Sequence, residues 1–99
     1  MKEFTYTIVD KDGMHARPAG RLVTCAKQFA SSVSVKANGK TADAKRLISL
    51  MMLGAVLGTT LTFSITGEDE ERAALELENF CRTQWNPMGA VVYDEDIEN

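Results

Sequence analysis

Three segments of this chain alternate apolar and polar side chains with a period of two, and this alternation constrains the fold most strongly. The clearest is residues 60–66, TLTFSIT, in which the apolar residues fall on one side and the hydroxyl residues on the other. Residues 3–9 (EFTYTIV) and 32–37 (SVSVKA) show the same pattern. Such alternation predicts strands that bury one face and leave the other in water.

The dipeptide Asn38-Gly39 predicts a fourth strand. A two-residue type I′ turn requires positive φ at both central positions, and Asn-Gly is the strongest sequence signal for it. The turn would join residues 32–37 to a short returning strand at residues 40–43, KTAD.

The intervening segments have helical periodicity. The first predicted helix spans about residues 16–29, with Pro18 in its first turn, where a missing N–H costs nothing. A short helix over 46–53 ends at Gly54, and a last helix begins in the acidic run after residue 67 and stops at Asn86-Pro87. The expected buried stripes are Ala19, Leu22, Val23, Ala26 and Phe29 in the first helix, and Ala73, Leu77, Phe80 and Cys81 in the last.

The order βαββαβα predicts an α+β open-faced sandwich, a four-stranded antiparallel sheet with helices on one face. A chain of 99 residues suits one domain. We expect that domain to span residues 1–85, followed by an acidic tail over residues 86–99. The only apolar anchor of the tail is Val91, Val92 and Tyr93.

Composition excludes several function classes. The net charge is −3 and no basic cluster exists, so we expect no nucleic-acid partner. No apolar run approaches the roughly 20 residues of a membrane span, and no secretory signal is found, so we expect a cytoplasmic protein. Cys25 and Cys81 form no CxxC-type pattern. Two reduced thiols are therefore expected, with a structural disulfide as the alternative.

The only histidine of the chain, His15, lies at the predicted start of the first helix, in GMHARPAGRL (residues 13–22). A helix N-terminus presents unpaired N–H groups and partial positive charge, which suit a phosphate and favour a neutral imidazole. Arg17 adds a guanidinium that can grip phosphate oxygens. From position alone, His15 could equally be a polar surface residue or a helix cap. The combination with Arg17 favours phosphoryl transfer.

Several features of nucleotide-using enzymes are missing from the sequence. It has no glycine-rich nucleotide loop, no second histidine and no aspartate-rich magnesium site. We therefore expect no metal and no cofactor. The chain would receive a phosphoryl group from another protein and pass it on, as an intermediate rather than a freestanding enzyme.

The segment GMHARPA resembles the active-site segment of the HPr family, the histidine phosphocarriers of the bacterial phosphoenolpyruvate:sugar phosphotransferase system. The resemblance covers about residues 2–84 and includes NGK at 38–40, KRLISLMMLG at 45–54 and GTTLTFSITGEDEERA. The family's GxHARPA pattern is matched by Gly13, His15, Ala16, Arg17, Pro18 and Ala19.

The resemblance implies a function for these residues. His15 would be phosphorylated on Nδ1 by phosphorylated Enzyme I and would donate to the Enzyme IIA of a sugar system. Arg17 would pair with the phosphoryl group, which the backbone N–H groups of Ala16 and Arg17 would support. We expect the protein to be a monomer.

Two positions depart from the family pattern. Many members carry a regulatory serine directly after the lysine of the short helix, but here Lys45 is followed by Arg46. Ser49 lies one helical turn further on, at a different position. We therefore expect carrier function without that regulation. The tail at 86–99 runs past the usual end of the family.

The short helix is apolar nearly all round, and so short a helix cannot bury every side in a two-layer domain. We expect Leu50 and Leu53 to enter the core and the other apolar residues to form a partner surface. The resemblance implies that partners dock on this helix together with the first one. The alternative is an ordinary core helix with its faces reversed. The predicted partner-binding residues are Met14, Gly20, Arg21, Thr24, Leu47, Ile48, Met51 and Met52.

Two other functions are compatible with the sequence. One is a regulatory module of the same fold that acts by contact alone, although regulatory paralogues lack the histidine that this chain keeps. The other is a carrier in a non-sugar chain, such as a nitrogen-related or dihydroxyacetone-kinase system.

Overall fold

The computed structural model describes residues 1–85, and within them four strands and three helices follow the predicted order. The elements are β1 (Lys2–Thr7), α1 (Ala16–Ala26), β2 (Ser32–Ala37), β3 (Lys40–Asp43), α2 (Leu47–Met51), β4 (Thr60–Thr66) and α3 (Glu70–Gln84). The strands form one antiparallel sheet in the order β1-β4-β2-β3. The predicted open-faced α+β sandwich is confirmed.

The core lies between the helices and the inward face of the sheet. Phe63 of β4 is paired with Phe4 of β1 on one side and with Val35 of β2 on the other. The rings of Phe4 and Phe63 stack with their centroids 4.5 Å apart. The opposite face of the sheet carries pairs of hydroxyl residues such as Thr5 and Thr62, so the period-two alternation of the sequence matches the two faces.

The bounds of the first two helices differ from the prediction, because the backbone tightens at the end of each helix. The first helix was expected to reach residue 29 but ends at Ala26. The Lys27 N–H still bonds four residues back, to Val23. The following N–H groups bond three residues back, Gln28 to the Cys25 carbonyl and Phe29 to the Ala26 carbonyl, and the Phe29 side chain is buried in the core outside the helix. The second helix is also shorter than 46–53, while Leu50 and Leu53 are buried as predicted.

The predicted hairpin is confirmed, and its turn also binds the chain after α2. Asn38 and Gly39 have φ values of +54° and +76°, as a type I′ turn requires. The Asn38 side-chain amide donates to the carbonyls of Leu53 (3.0 Å) and Gly54 (3.3 Å). The turn thereby satisfies carbonyl groups at the end of α2 and fixes that helix to the sheet.

Three further predictions concern the cysteines, a membrane span and the end of the domain. Cys25 and Cys81 are free thiols, and burial raises the pKa of both. Within residues 1–85, none of the helices is long and apolar enough to cross a membrane. The Asn86-Pro87 helix stop and the acidic tail at 86–99 lie outside the described residues, so the proposed domain boundary stays a prediction.

Candidate functional site

The loop before α1 is held in place by a second loop, residues 54–59. The Met14 N–H donates to the Ala55 carbonyl (3.0 Å), and the Gly58 N–H donates to the Ile8 carbonyl (2.9 Å). Gly13 has a φ of +69°, and a Cβ at this position would lie 2.6 Å from the Ala55 oxygen. Only glycine fits here, because both the backbone conformation and the close approach exclude a side chain.

This loop places His15 at the N-cap of α1. Its carbonyl accepts the first helical hydrogen bond, from the Ala19 N–H at 3.1 Å. Its side chain makes no capping hydrogen bond and is 43% exposed. The imidazole is therefore accessible to a reaction partner, and the interpretation of His15 as a side-chain cap is wrong.

No side-chain anion binds the first N–H groups of α1 in residues 1–85. Its first turn contains no acidic residue. Within residues 1–85, the N–H groups of Ala16 and Arg17 find no acceptor, and Pro18 has no N–H. Arg17 is exposed and takes part in none of the ion pairs of that part of the chain. Two free donors and the positive end of a helix dipole thus lie next to His15, and Arg17 in the same turn carries an unpaired guanidinium, an arrangement that suits a phosphate.

Asp10 is a site residue that the sequence did not indicate. Its Oδ2 lies 3.7 Å from Nε2 of His15, and both side chains are about two-fifths exposed, at 41% and 43%. Its Oδ1 accepts the Asp12 N–H at 2.8 Å, which orients the carboxylate. The carboxylate therefore faces one ring nitrogen of His15.

One cluster in the described residues could offer ligands to a metal ion. Asp10, Asp12 and His15 each present one ligand atom, and these atoms lie within 4.8 Å of one another. Exposed acidic loops commonly have this arrangement without an ion, so we assign no metal to it. The expectation of no metal and no cofactor stays a prediction.

Trp85 packs beneath the first turn of α1, a role that the sequence analysis did not predict. Its Nε1 donates to the Pro18 carbonyl at 2.9 Å, and its ring packs against Tyr6 and Phe80, each at a centroid distance of 5.6 Å. The end of α3 therefore holds the first turn of α1. The available signal was the single tryptophan of the chain, one helical turn after Cys81.

Tyr6 lies in the same support. Its hydroxyl is the one buried side-chain oxygen or nitrogen in residues 1–85 that lacks a hydrogen-bond partner. Burial first, then the Cys81 thiol and the Asp10 carboxylate, raise the pKa of Tyr6 to about 12. The hydroxyl consequently stays neutral beside the loop that carries His15.

The predicted outward face of α2 is confirmed as an exposed surface. Ile48 and Met52 are each 68% exposed, and Leu47 and Met51 are exposed to a smaller degree. The sequence analysis missed Val56 and Leu57, which are also exposed. They lie in the loop that bonds to Met14, so the apolar patch (Leu47, Ile48, Met51, Met52, Val56 and Leu57) continues toward the His15 loop.

The remaining predicted partner residues fall into two groups. Arg21 and Thr24 are exposed on α1, and Gly20 is half-buried beneath the Thr24 hydroxyl, which donates to its carbonyl at 3.2 Å. Met14 corrects the prediction, because only 7% of it is exposed. The hydrogen bond of its N–H to Ala55 draws it against the core, where it supports the loop and offers little contact surface.

Comparisons with known proteins agree with this geometry. A family model described as "PTS HPr component phosphorylation site" matches residues 2–83. The phosphocarrier protein HPr of Haemophilus influenzae is 44% identical over 70 residues, which cover 71% of this chain and 82% of the relative.

Solved structures show the same fold. The histidine-containing phosphocarrier protein of a Mycoplasma superposes with a TM-score of 0.81 at 30% identity, over 84% of this chain and 94% of the other. Crh, a catabolite repression protein of Bacillus subtilis described as a domain-swapped dimer, superposes with a TM-score of 0.67 at 33% identity, over 85% and 97%. The family match, the fold and the helix end that presents His15 together show that this chain belongs to the HPr family of phosphocarriers in the phosphotransferase system.

Proposed function

We propose that His15 accepts a phosphoryl group from phosphorylated Enzyme I and passes it to the Enzyme IIA of a sugar phosphotransferase system. One observation carries this proposal. The only imidazole of the chain is accessible at a helix end that has free N–H donors and an unpaired Arg17 within the described residues. The family supplies the donor and the acceptor class.

The reaction needs little beyond positioning and charge stabilisation. The lone pair of Nδ1 attacks the phosphorus of a donor phosphohistidine. The donor's N–P bond breaks, and its electron pair returns to the donor imidazole. The Ala16 and Arg17 N–H groups and the Arg17 guanidinium hold the phosphoryl oxygens. The same events in the opposite direction deliver the group to the acceptor.

The apolar patch would dock both partners next to this site. Gly20, Arg21 and Thr24 border it on α1, and Leu47, Ile48, Met51 and Met52 supply adaptable apolar contacts. Met14 contributes by holding the loop. Such docking needs no nucleic acid and no membrane insertion, and it takes place in the cytoplasm. The monomeric state stays a prediction, since Crh is a swapped dimer.

We further propose that this carrier lacks the serine switch of many relatives. Arg46 precedes α2 at the expected serine position, and its Nε lies 3.9 Å from Oδ2 of Asp43. Arg46 has no hydroxyl, so the serine phosphate ester of those relatives cannot form at this position.

A phosphotransfer assay with intact-mass detection tests the function. The protein is mixed with phosphoenolpyruvate, magnesium and Enzyme I, and we expect one acid-labile phosphoryl adduct that is absent in His15→Ala. An unmodified mass with a competent Enzyme I would contradict the proposal. It would favour a different donor, as in a non-sugar chain, or a module that acts by contact alone.

The docking surface has its own matched pair of variants. Ile48→Glu places a charge on the patch and should slow phosphorylation by Enzyme I. Leu75→Glu changes a leucine that is 70% exposed on α3, outside the patch, and should leave the rate unchanged. Equal rates for the two variants would exclude α2 from the docking surface.

A further inference from the structure

Asp10 has a place in the site that neither the family pattern nor the proposed transfer step explains. It is the acidic residue whose carboxylate comes within 4 Å of the His15 ring in the part of the chain that the structure describes. Bonds within the loop, from the Gly13 N–H to the Asp10 carbonyl and from the His15 N–H to the Gly13 carbonyl (both 3.0 Å), connect the two residues, and bonds to residues 54–59 hold the loop as a whole.

One hydrogen bond sets the orientation of the Asp10 carboxylate. Oδ1 is engaged by the Asp12 N–H at 2.8 Å, so Oδ2 is the oxygen that faces the ring. The ring nitrogen on that side is Nε2, at 3.7 Å. A carboxylate is an acceptor only, so it favours the imidazole form in which Nε2 carries the proton and Nδ1 carries the lone pair.

We propose that Asp10 is a positioning residue for His15, which holds the imidazole in the tautomer whose Nδ1 is free to take the phosphoryl group. Its mechanistic consequence rests on the proposed function. When Nδ1 attacks phosphorus, Nε2 keeps its proton and the ring gains positive charge, which the Asp10 carboxylate faces and stabilises.

The same proton makes the onward step simple. In the transfer to the acceptor, the Nδ1–P bond breaks and its electron pair returns to Nδ1. This regenerates the neutral ring with the proton still on Nε2. The cycle needs no proton to enter or leave His15, and the positive ring of the phosphorylated state is a good leaving group.

A conservative variant changes the tautomer without disturbing the loop. In Asp10→Asn, the side-chain oxygen can still accept the Asp12 N–H, which leaves the amide nitrogen facing the ring. That nitrogen is a donor, so it favours a lone pair on Nε2 and moves the proton to Nδ1. Asp43→Asn is the matched control, because the Asp43 Oδ1 accepts the Lys45 N–H at 2.9 Å in the same i to i+2 arrangement and β3 lies at the edge of the sheet opposite β1.

The readout is the ¹⁵N chemical shift of the two ring nitrogens at about pH 9, where an ordinary histidine is neutral. His15 is the only histidine, so the signals need no further assignment. We expect the Nε2–H tautomer in the unmodified protein and in Asp43→Asn, with a shift toward Nδ1–H in Asp10→Asn. The phosphorylation rate of Asp10→Asn should fall roughly two- to fivefold, as suits a partly exposed pair.

Two results would overturn the inference. One is an unmodified protein whose ring is mainly Nδ1–H, and the other is a tautomer population that Asp10→Asn leaves unchanged. The proposed function fails in a different way. If no variant accepts a phosphoryl group but the tautomer responds to Asp10 alone, the function is contradicted and the positioning of the ring by Asp10 is supported.

Discussion

The two long helices of this molecule begin in opposite electrostatic surroundings. The N-terminus of α3 carries acidic side chains, with Asp69 at the N-cap and Glu70 and Glu71 in the first turn. The N-terminus of α1 carries His15 at the N-cap and no acid in its first turn. Both ends have the same partial positive charge, and only one of them is neutralised by the chain itself.

At α3 the acids also tie the fold together. The Asp69 carboxylate accepts the N–H groups of Ala30 and Ser31, each at 3.0 Å, and the Ser31 hydroxyl. Glu70 accepts the Gly67 N–H at 3.0 Å. These bonds join the start of α3 to the start of β2, so this helix end is structural.

The first turn of α1 has no acidic residue; it carries Arg17, with His15 at the N-cap and the Asp10 carboxylate on the far side of that imidazole. The difference is one of charge: the start of α3 carries acidic side chains of its own, whereas the first turn of α1 leaves its positive end for an external anion. The variants below test this contrast, from the largest expected effect to the smallest.

The largest effect should come from the glycines that bring backbones together at each end. Gly13→Ala forces a Cβ to 2.6 Å from the Ala55 oxygen, and Gly67→Ala forces one to 2.6 Å from Cα of Ser31. We expect each change to lower the free energy of unfolding by about 1–3 kcal/mol in urea titrations. Only Gly13→Ala should also slow phosphorylation. If both variants slowed phosphorylation equally, the slower rate would reflect lost stability and not a difference between the two helix ends.

The arginines of the two first turns form the next pair. Arg17→Ala should lower the phosphorylation rate roughly tenfold, because a charged donor to the phosphoryl oxygens is lost. Arg72 occupies the first turn of α3, where it pairs with Glu76 at 3.5 Å and lies 5.2 Å from the Phe29 ring centre. Arg72→Ala should leave the rate unchanged in the same assay. A normal rate in Arg17→Ala would exclude the guanidinium from the site.

A third change would give α1 the electrostatics of α3. Ala16 is exposed at the first position of the helix. Ala16→Glu should stabilise the protein by about 0.3–1 kcal/mol, because an acid suits a helix N-terminus. The same charge should repel the phosphoryl group and slow its acceptance roughly fivefold. Stability from thermal melts and rate from the mass assay should therefore move in opposite directions, whereas a parallel change would contradict the account.

The smallest effect concerns how protein stability at the start of α3 depends on pH. The Ser31 hydroxyl, followed by the Ala30 and Ser31 N–H groups, lowers the pKa of Asp69 from 3.8 to about 2. Because the folded pKa lies below the unfolded one, this carboxylate stabilises the fold above about pH 4, and the contribution is lost as the pH falls toward 2.

Thermal melts between pH 7 and about pH 2 test this dependence. Asp69→Asn should lower the Tm at pH 7 and flatten its decline in acid, while Glu71→Gln, which removes an exposed acid from the same turn, should keep the decline of the unmodified protein. A steep decline that persists in Asp69→Asn would show that another group is responsible.

Local patterns in the sequence predicted much of the fold. The period-two segments predicted β2 and β4 with the observed bounds, and Asn38-Gly39 predicted the hairpin. The crowded apolar pattern of the short helix also predicted which of its faces is exposed. These features depend on neighbouring residues and on burial of one face, which short stretches of sequence express directly.

The missed features all depend on contacts between distant segments. Asp10 faces His15 in a loop that bonds to residues 54–59. The same contact buries Met14. Trp85 reaches Pro18 from the other end of the described chain. No local period encodes these approaches, so the sequence predicted the position of His15 at the start of α1 and left its neighbours unassigned.

The most direct test of the open helix end follows the backbone amides of the phosphorylated protein by NMR. If the phosphoryl group on His15 is held at the start of α1, the Ala16 and Arg17 amide protons should shift downfield on phosphorylation, and the Glu70 and Glu71 amides should keep their positions. A protein that carries the phosphoryl group while the Ala16 and Arg17 amides stay unshifted would contradict the account.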